Sequence, residues 1–165
     1  MLAKLLHQTI TLRETWQSNM SRTKFSQGIY EVRNANKYVG KGKPKYRSSW
    51  ELAFMNFADN NEHVLQWASE AIRIPYRHPI TGKQTIYVPD FFVVYRTKDN
   101  KQVAEVIEIK PKGQSVLAEK QNNQQRAVVA VNYAKWEAAQ NWCKRQGLVF
   151  RVITEEQMFH QGKKR

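Results

Sequence analysis

One cysteine, Cys143, stands in 165 residues. No internal disulfide can staple the chain, which fits a reducing compartment. No apolar run approaches the roughly 20 residues that cross a bilayer. The opening stretch, Met1 to His7, has too short an apolar run and no small-residue cleavage site, so it does not read as a signal peptide. The four histidines (His7, His63, His78, His160) have no His or Cys partner at ligand spacing, which argues against structural zinc. Acidic residues are scarce: 14 Asp and Glu against 27 Lys and Arg, a formal net charge of +13. A chain this basic most often meets nucleic acid. An anionic membrane surface is the second partner such charge fits, but no long helix pairs a basic face with an apolar one.

The length allows one domain with a real core and is short for two. Its centre is the stretch Tyr87 to Tyr95, answered by Val103 to Pro111. Both are dense in Val, Ile, Phe and Tyr and read as strands, joined by the polar loop Arg96 to Lys101 with Asp-Asn at its tip. Before them, Ser48 and Glu51 form a Ser-x-x-Glu cap, and Trp50, Ala53, Phe54, Phe57 and Ala58 recur at helical spacing. Val64 to Ser69 reads as a short extended or turn segment. Ala71 to Tyr76 alternates like a strand stopped by Pro75, and His78 to Lys83 reads as a turn. Residues 112–126 read as a flexible loop that orders on substrate. A long helix is predicted over about Ala127 to Gln146 with Gly147 as its stop, then a strand over Leu148 to Ile153 and a short helix from Thr154. Helix, three strands, helix, strand is the order of one α/β domain, a mixed sheet flanked by helices. Residues 1–24 read as a loosely attached extension, 25–162 as the domain and 163–165 as a basic tail.

Three charged groups sit oddly on the apolar strands: Asp90, Glu108 and Lys110. Glu108 and Lys110 are two apart and share a strand face, and hairpin pairing brings Asp90 near it. Crowded carboxylates need a cation between them, or one must hold a proton. A hard divalent cation such as Mg²⁺ takes one or two carboxylates and leaves room for water and phosphate, and Lys110 then suits an attacking hydroxide or a phosphate oxygen. Blander readings stand beside this one. Glu51 is explained by its capping box, Asp90 by a turn after Pro89, and Glu108 with Lys110 by a salt bridge on an open sheet face. Glu105 lies off that face and reads as a solvated or edge charge. Asn132 and Lys135 on the long helix either face the site or lie on a helix surface. Trp50, Trp67, Trp136 and Trp142 read as core. Residues 25–46 form an irregular basic segment (Lys41, Lys43 and Lys45, with Arg47 next) interleaved with Phe25, Tyr30, Tyr38 and Tyr46, which reads equally as a phosphate-backbone contact or a solvated loop.

Tyr-Val-Pro-Asp-Phe followed by Glu-Ile-Lys-Pro, behind a helix opening Arg47-Ser48-Ser49-Trp50-Glu51, resembles the PD-(D/E)xK nuclease superfamily. Lys45 to Leu52, Ala71 to Tyr76 and Val88 to Phe91 are similar to the Tn7-type transposase endonuclease subunit. Gly28-Ile29-Tyr30, Lys37 to Gly42, Trp67 to Ile72 and Glu108 to Pro111 resemble the head completion nucleases of T4-like tailed phages over about residues 24–162. The resemblance implies a restriction-endonuclease-like fold and a Mg²⁺-dependent endo- or exonuclease, with Mn²⁺ as a substitute. Its double-stranded DNA would be trimmed late in virion assembly, before head–tail joining. It implies Asp90 and Glu108 as metal ligands, Lys110 as the group positioning water or stabilising charge, and Glu51 as a further acid. Lys41, Lys43, Lys45, Arg47 and Lys112 are the expected DNA contacts. Head or neck proteins (portal or connector) are the expected partners, and the host cytoplasm or the virion neck the expected place. The rival is a non-catalytic neck or portal-associated protein that binds DNA ends.

Overall fold

The computed structural model describes residues 27–115, 122–154 and 157. The N-terminal extension, Phe25, the basic tail and nearly all of the expected terminal helix lie outside the described residues.

Three strands expected from the sequence form, with Val64–Ser69, one four-stranded sheet. In chain order these are β3 (Val64–Ser69), β6 (Phe91–Arg96), β7 (Gln102–Ile109) and β8 (Val149–Ile153), and they lie side by side in that order. β3 to β6 and β6 to β7 are antiparallel and β7 to β8 is parallel, so the sheet is mixed. The loop Arg96 to Lys101 closes the β6–β7 hairpin through Thr97 N–H to Lys101 O at 2.8 Å, with Asn100 at φ +61°, a conformation Asn tolerates better than most residues. Parallel pairing of β8 requires a crossover, which the long helix α2 (Asn123–Arg145) supplies.

Each face of the sheet is covered. Helix α1 (Ser49–Asn60) starts where the Ser48 cap predicts: Glu51 N–H donates to Ser48 Oγ at 3.1 Å. It lays Phe54, Met55, Phe57 and Ala58 on Phe91, Val93, Tyr95, Ile107, Ile109 and Ile153. On the other face α2 presents Trp136 and Ala139 to Phe150 and Val152 and to a separate hairpin, β4 (Ile74–Arg77) with β5 (Gln84–Tyr87). Helix α2 begins four residues before the expected Ala127. Asn122 and Gln125 form a reciprocal capping box at 2.8 and 3.0 Å, so residues 123–126 are helix rather than loop. Gly147, at φ +69°, stops it as expected.

Three further expectations are corrected. Tyr87 to Tyr95 is not one strand: Tyr87 ends β5, Val88-Pro89-Asp90 crosses over, and Phe91 begins β6 in the main sheet. Pro89 lacks the N–H that a continuing ladder would need. Pro75 does not stop its strand. It sits exposed within β4, which as part of a two-stranded hairpin has a free edge that tolerates proline. Glu105 is not a solvated edge charge. It is 1% exposed on the α1 face of β7, a strand covered on both sides, and accepts from Tyr95 Oη at 2.8 Å and Arg151 Nη2 at 3.0 Å.

The basic segment before α1 is tied down rather than loose. β1 (Gly28–Ile29) pairs with β2 (Lys45–Tyr46). Tyr38 bridges to Trp67 of edge strand β3, and the rings of Tyr30 and Tyr38 pack on Trp67 at 5.9 and 4.7 Å. Tyr30 is therefore core, not a base-stacking platform. Asp59, wholly buried at the end of α1, accepts from Tyr30 Oη at 2.9 Å, Arg33 N–H at 2.8 Å and Asn34 N–H at 3.1 Å. Removing that carboxylate leaves buried donors without a partner. Asp59→Ala is expected to cost about 3 kcal/mol in urea unfolding, whereas Lys98→Ala on the exposed hairpin loop should change stability by less than about 0.5 kcal/mol.

Candidate active site

The α2 side of the sheet holds the acids. Glu108 is 3% exposed and points from β7 toward α2, opposite in sense to Ile107 and Ile109. Its two oxygens are held from two directions: Lys110 Nζ donates to Oε1 at 2.9 Å and Tyr87 Oη to Oε2 at 2.8 Å. Asp90 reaches the same place from the β5–β6 crossing. Its Oδ2 accepts from Ile109 N–H at 2.7 Å, which fixes the side chain beside the strand that carries Glu108. Among the described residues Asp90 Oδ1 has no hydrogen-bond partner. Lys110 is itself anchored, its N–H donating to Ile153 O on β8 at 3.0 Å.

Electrostatics follow from that crowding. Burial raises the Asp90 pKa well above the usual carboxylate range, and the neighbouring Glu108 charge raises it further against the opposing Ile109 hydrogen bond. Burial alone would depress Lys110, but the charge and hydrogen bond of Glu108 outweigh it, so its pKa is raised and it remains an ammonium. Burial, then the Glu108 charge, holds Tyr87 as a neutral phenol that donates. Glu51 acts at longer range: its charge is felt at both Asp90 and Lys110. Its oxygens accept from Arg47 N–H at 2.9 Å and Ser48 Oγ at 3.0 Å, so the capping role is real and coexists with nearness to the site.

The other expected contacts are more scattered. Lys41, Lys43, Lys45, Arg47 and Lys112 are all exposed. Lys43 pairs with Glu31 at 3.0 Å, and Arg47 with Glu70. Lys112 lies on the short 3₁₀ turn Lys112–Gln114 just after the strand that carries the acid. Sequence reasoning passed over Tyr87 and Glu70. Tyr87 looked like one more apolar strand residue, and only its pairing partner Ile74, which moves it to the second hairpin, turns its hydroxyl toward Glu108. Glu70 has φ +49°, unusual for a non-glycine residue, and its N–H donates to Asp90 O at 2.9 Å, so it braces the backbone of the acid.

A family model described as TnsA-like endonuclease N terminal matches residues 61–155. The chain belongs to the TnsA-like endonuclease family. The matched stretch contains Tyr87, Asp90, Glu108, Lys110 and Lys135, while Glu51 and the basic segment before it lie outside. The head completion nuclease of Enterobacteria phage T4 is 33% identical over 142 residues, covering 78% of this chain and 91% of that protein. The mixed sheet between two helices is the architecture expected from the nuclease resemblance.

The donors present fit a hard divalent cation. Asp90 and Glu108 offer carboxylate oxygens, and among the described residues neither is paired with arginine and Asp90 Oδ1 has no hydrogen-bond partner. Among the described residues no cluster of three or more His, Cys, Asp or Glu has metal-binding geometry, so these two carboxylates would share an ion with water and phosphate rather than enclose it.

Without a cation, two desolvated acids oppose each other. Asp90 is protonated at low pH, where it resembles its amide, and is forced to ionise only above its raised pKa. In EDTA, Asp90→Asn should therefore raise Tm by about 2–5 °C at pH 8 and lose that advantage as pH falls through the raised Asp90 pKa. Differential scanning fluorimetry across pH checks it; an equal or lower Tm at pH 8 contradicts the crowding.

Proposed function

We propose that this chain is a metal-dependent deoxyribonuclease that acts in completing the head of a tailed phage and in joining head to tail. Family membership carries the nuclease activity, and the T4 relative's name carries the head-completion role. The observation that supports the site is the convergence of Asp90, Glu108 and Lys110 at the C-terminal end of β7, in a chain of net charge +13.

Asp90 Oδ1 and Glu108 would hold magnesium or manganese, which supplies Lewis-acid polarisation of a phosphate oxygen and a more acidic water. Tyr87 keeps Glu108 from rotating away when a ligand competes for its oxygens. Lys110 spends one N–H on Glu108 and has two left for a phosphate oxygen or the attacking water. As a charged ammonium it stabilises developing negative charge; it is not the base. Glu51 adds negative potential at Asp90 and Lys110 and helps orient water. Lys41, Lys45 and Lys112 would meet the DNA backbone, with Lys43 and Arg47 following once they leave Glu31 and Glu70. The contacts proposed all go to the phosphate backbone, so cutting should show little sequence preference. Portal or connector proteins are the partners that deliver the DNA end.

The decisive assay is plasmid nicking in Mg²⁺ with an EDTA control. Glu108→Ala should stay folded and bind duplex DNA in EDTA like the parent, and folded Glu108→Ala and Lys110→Ala proteins should both cut at least about 100-fold more slowly. Wild-type protein that binds DNA ends but never cuts would make it an end clamp instead. Heads assembled with the Glu108→Ala protein should keep DNA ends that an added nuclease can trim.

A further inference from the structure

One cation of the region has no part in the chemistry above. Lys135 lies midway along α2, half-buried, with Nζ 5.7 Å from the Tyr87 ring centroid and 6.0 Å from that of Tyr76. Tyr87 is the residue whose hydroxyl donates to Glu108, so Lys135 stands behind the phenol that holds the acid. Among the described residues no carboxylate lies within ion-pair distance of its ammonium.

The backbone that presents Lys135 is fixed on both sides. Trp136 and Ala139 anchor α2 to the β4–β5 hairpin. Asn132, 5% exposed, donates Nδ2 to Gln114 O at 3.1 Å, and Tyr133 Oη donates to Ser115 O at 3.3 Å. One face of α2 thus grips the turn that follows Lys110, while the next turn of the same helix brings an ammonium toward Glu108 and Asp90. The charged groups it feels are Lys110, which opposes its charge, and Glu108 and Asp90, which favour it. Burial is the largest influence and disfavours the ammonium.

A cation–π contact holds an ammonium in place without consuming its N–H donors. A partly desolvated lysine without a carboxylate partner among the described residues, beside two acids that a bound cation would neutralise, has its donors free for an anion. We propose that Lys135 donates to a DNA phosphate at this site, a second substrate-contacting cation alongside Lys110. The identity of the anion rests on the nuclease reading above. A lysine suits the task because its compact charge and rotatable donors adapt to the position of a phosphate.

The competing explanation is that Lys135 only pins α2 to the two tyrosines. Lys135→Met keeps the aliphatic stem and removes the charge, with Lys135→Gln as a second neutral variant should Met fail to fold. Binding of a short labelled duplex is measured in EDTA across a salt series, where no cutting occurs. The neutral variant should lower the slope of log K against log salt by roughly one unit, as for one lost phosphate contact, with Lys135→Arg retaining the parent slope. In Mg²⁺ its kcat should fall by about tenfold or more. A folded neutral variant with the parent's salt slope overturns the proposal, since a purely structural lysine shifts Tm and leaves the slope alone. The nuclease reading is judged separately, by whether Glu108→Ala abolishes cutting.

Discussion

Two carboxylates withdrawn from water within reach of each other set the terms for this structure. Left alone, Asp90 and Glu108 would repel, and much of what surrounds them compensates. Ile109 N–H, Tyr87 Oη and Lys110 Nζ each supply a donor. The compensation is incomplete, because Asp90 still carries a raised pKa. On the proposed reading, two acids held this close are what prepare the site for an incoming cation.

The same strand provides its own control. Glu105 and Glu108 lie three residues apart on β7 and therefore on opposite faces. Each accepts from a tyrosine hydroxyl at 2.8 Å and from a basic side chain at 2.9–3.0 Å. On the α1 side Arg151 from β8 meets Glu105 across the sheet. That arrangement knits strands together. On the α2 side the crossing adds Asp90. One extra carboxylate, delivered by a change of sheet at Pro89, sets the proposed site apart from a structural ion pair.

Much of this was legible in the residues. Alternating apolar strands, the Ser48 cap and the Gly147 stop gave the layers and their order, because each is a local signal. Asp90, Glu108 and Lys110 stood out because charges on apolar strands need a reason. Other features were not local. Tyr87 could not be separated from β6 by pattern alone, since the break depends on which strand Ile74 chooses to pair with. Glu105 looked solvated because its partner, Arg151, is 46 residues away. Lys135 reads as any lysine on a helix surface until the helix is laid across Tyr76 and Tyr87. The basic segment looked like a loop because Asp59, which ties it down, sits in the following helix and looks there like one more polar residue.

The three-residue crossing Val88-Pro89-Asp90 also bears on how such chains diverge. The acid is positioned by the root of the β4–β5 hairpin, where Tyr87 and Ile74 pair, and by Ile109 on the main sheet. The far end of that hairpin, Pro79 to Lys83, is exposed, and it is closed on itself by His78 N–H to Lys83 O at 2.9 Å. Residues gained or lost at the tip leave the root undisturbed. The hairpin is thus a place where length and composition can drift between relatives while Asp90 stays where it is, so the outline of this face is able to evolve independently of the proposed hydrolytic centre.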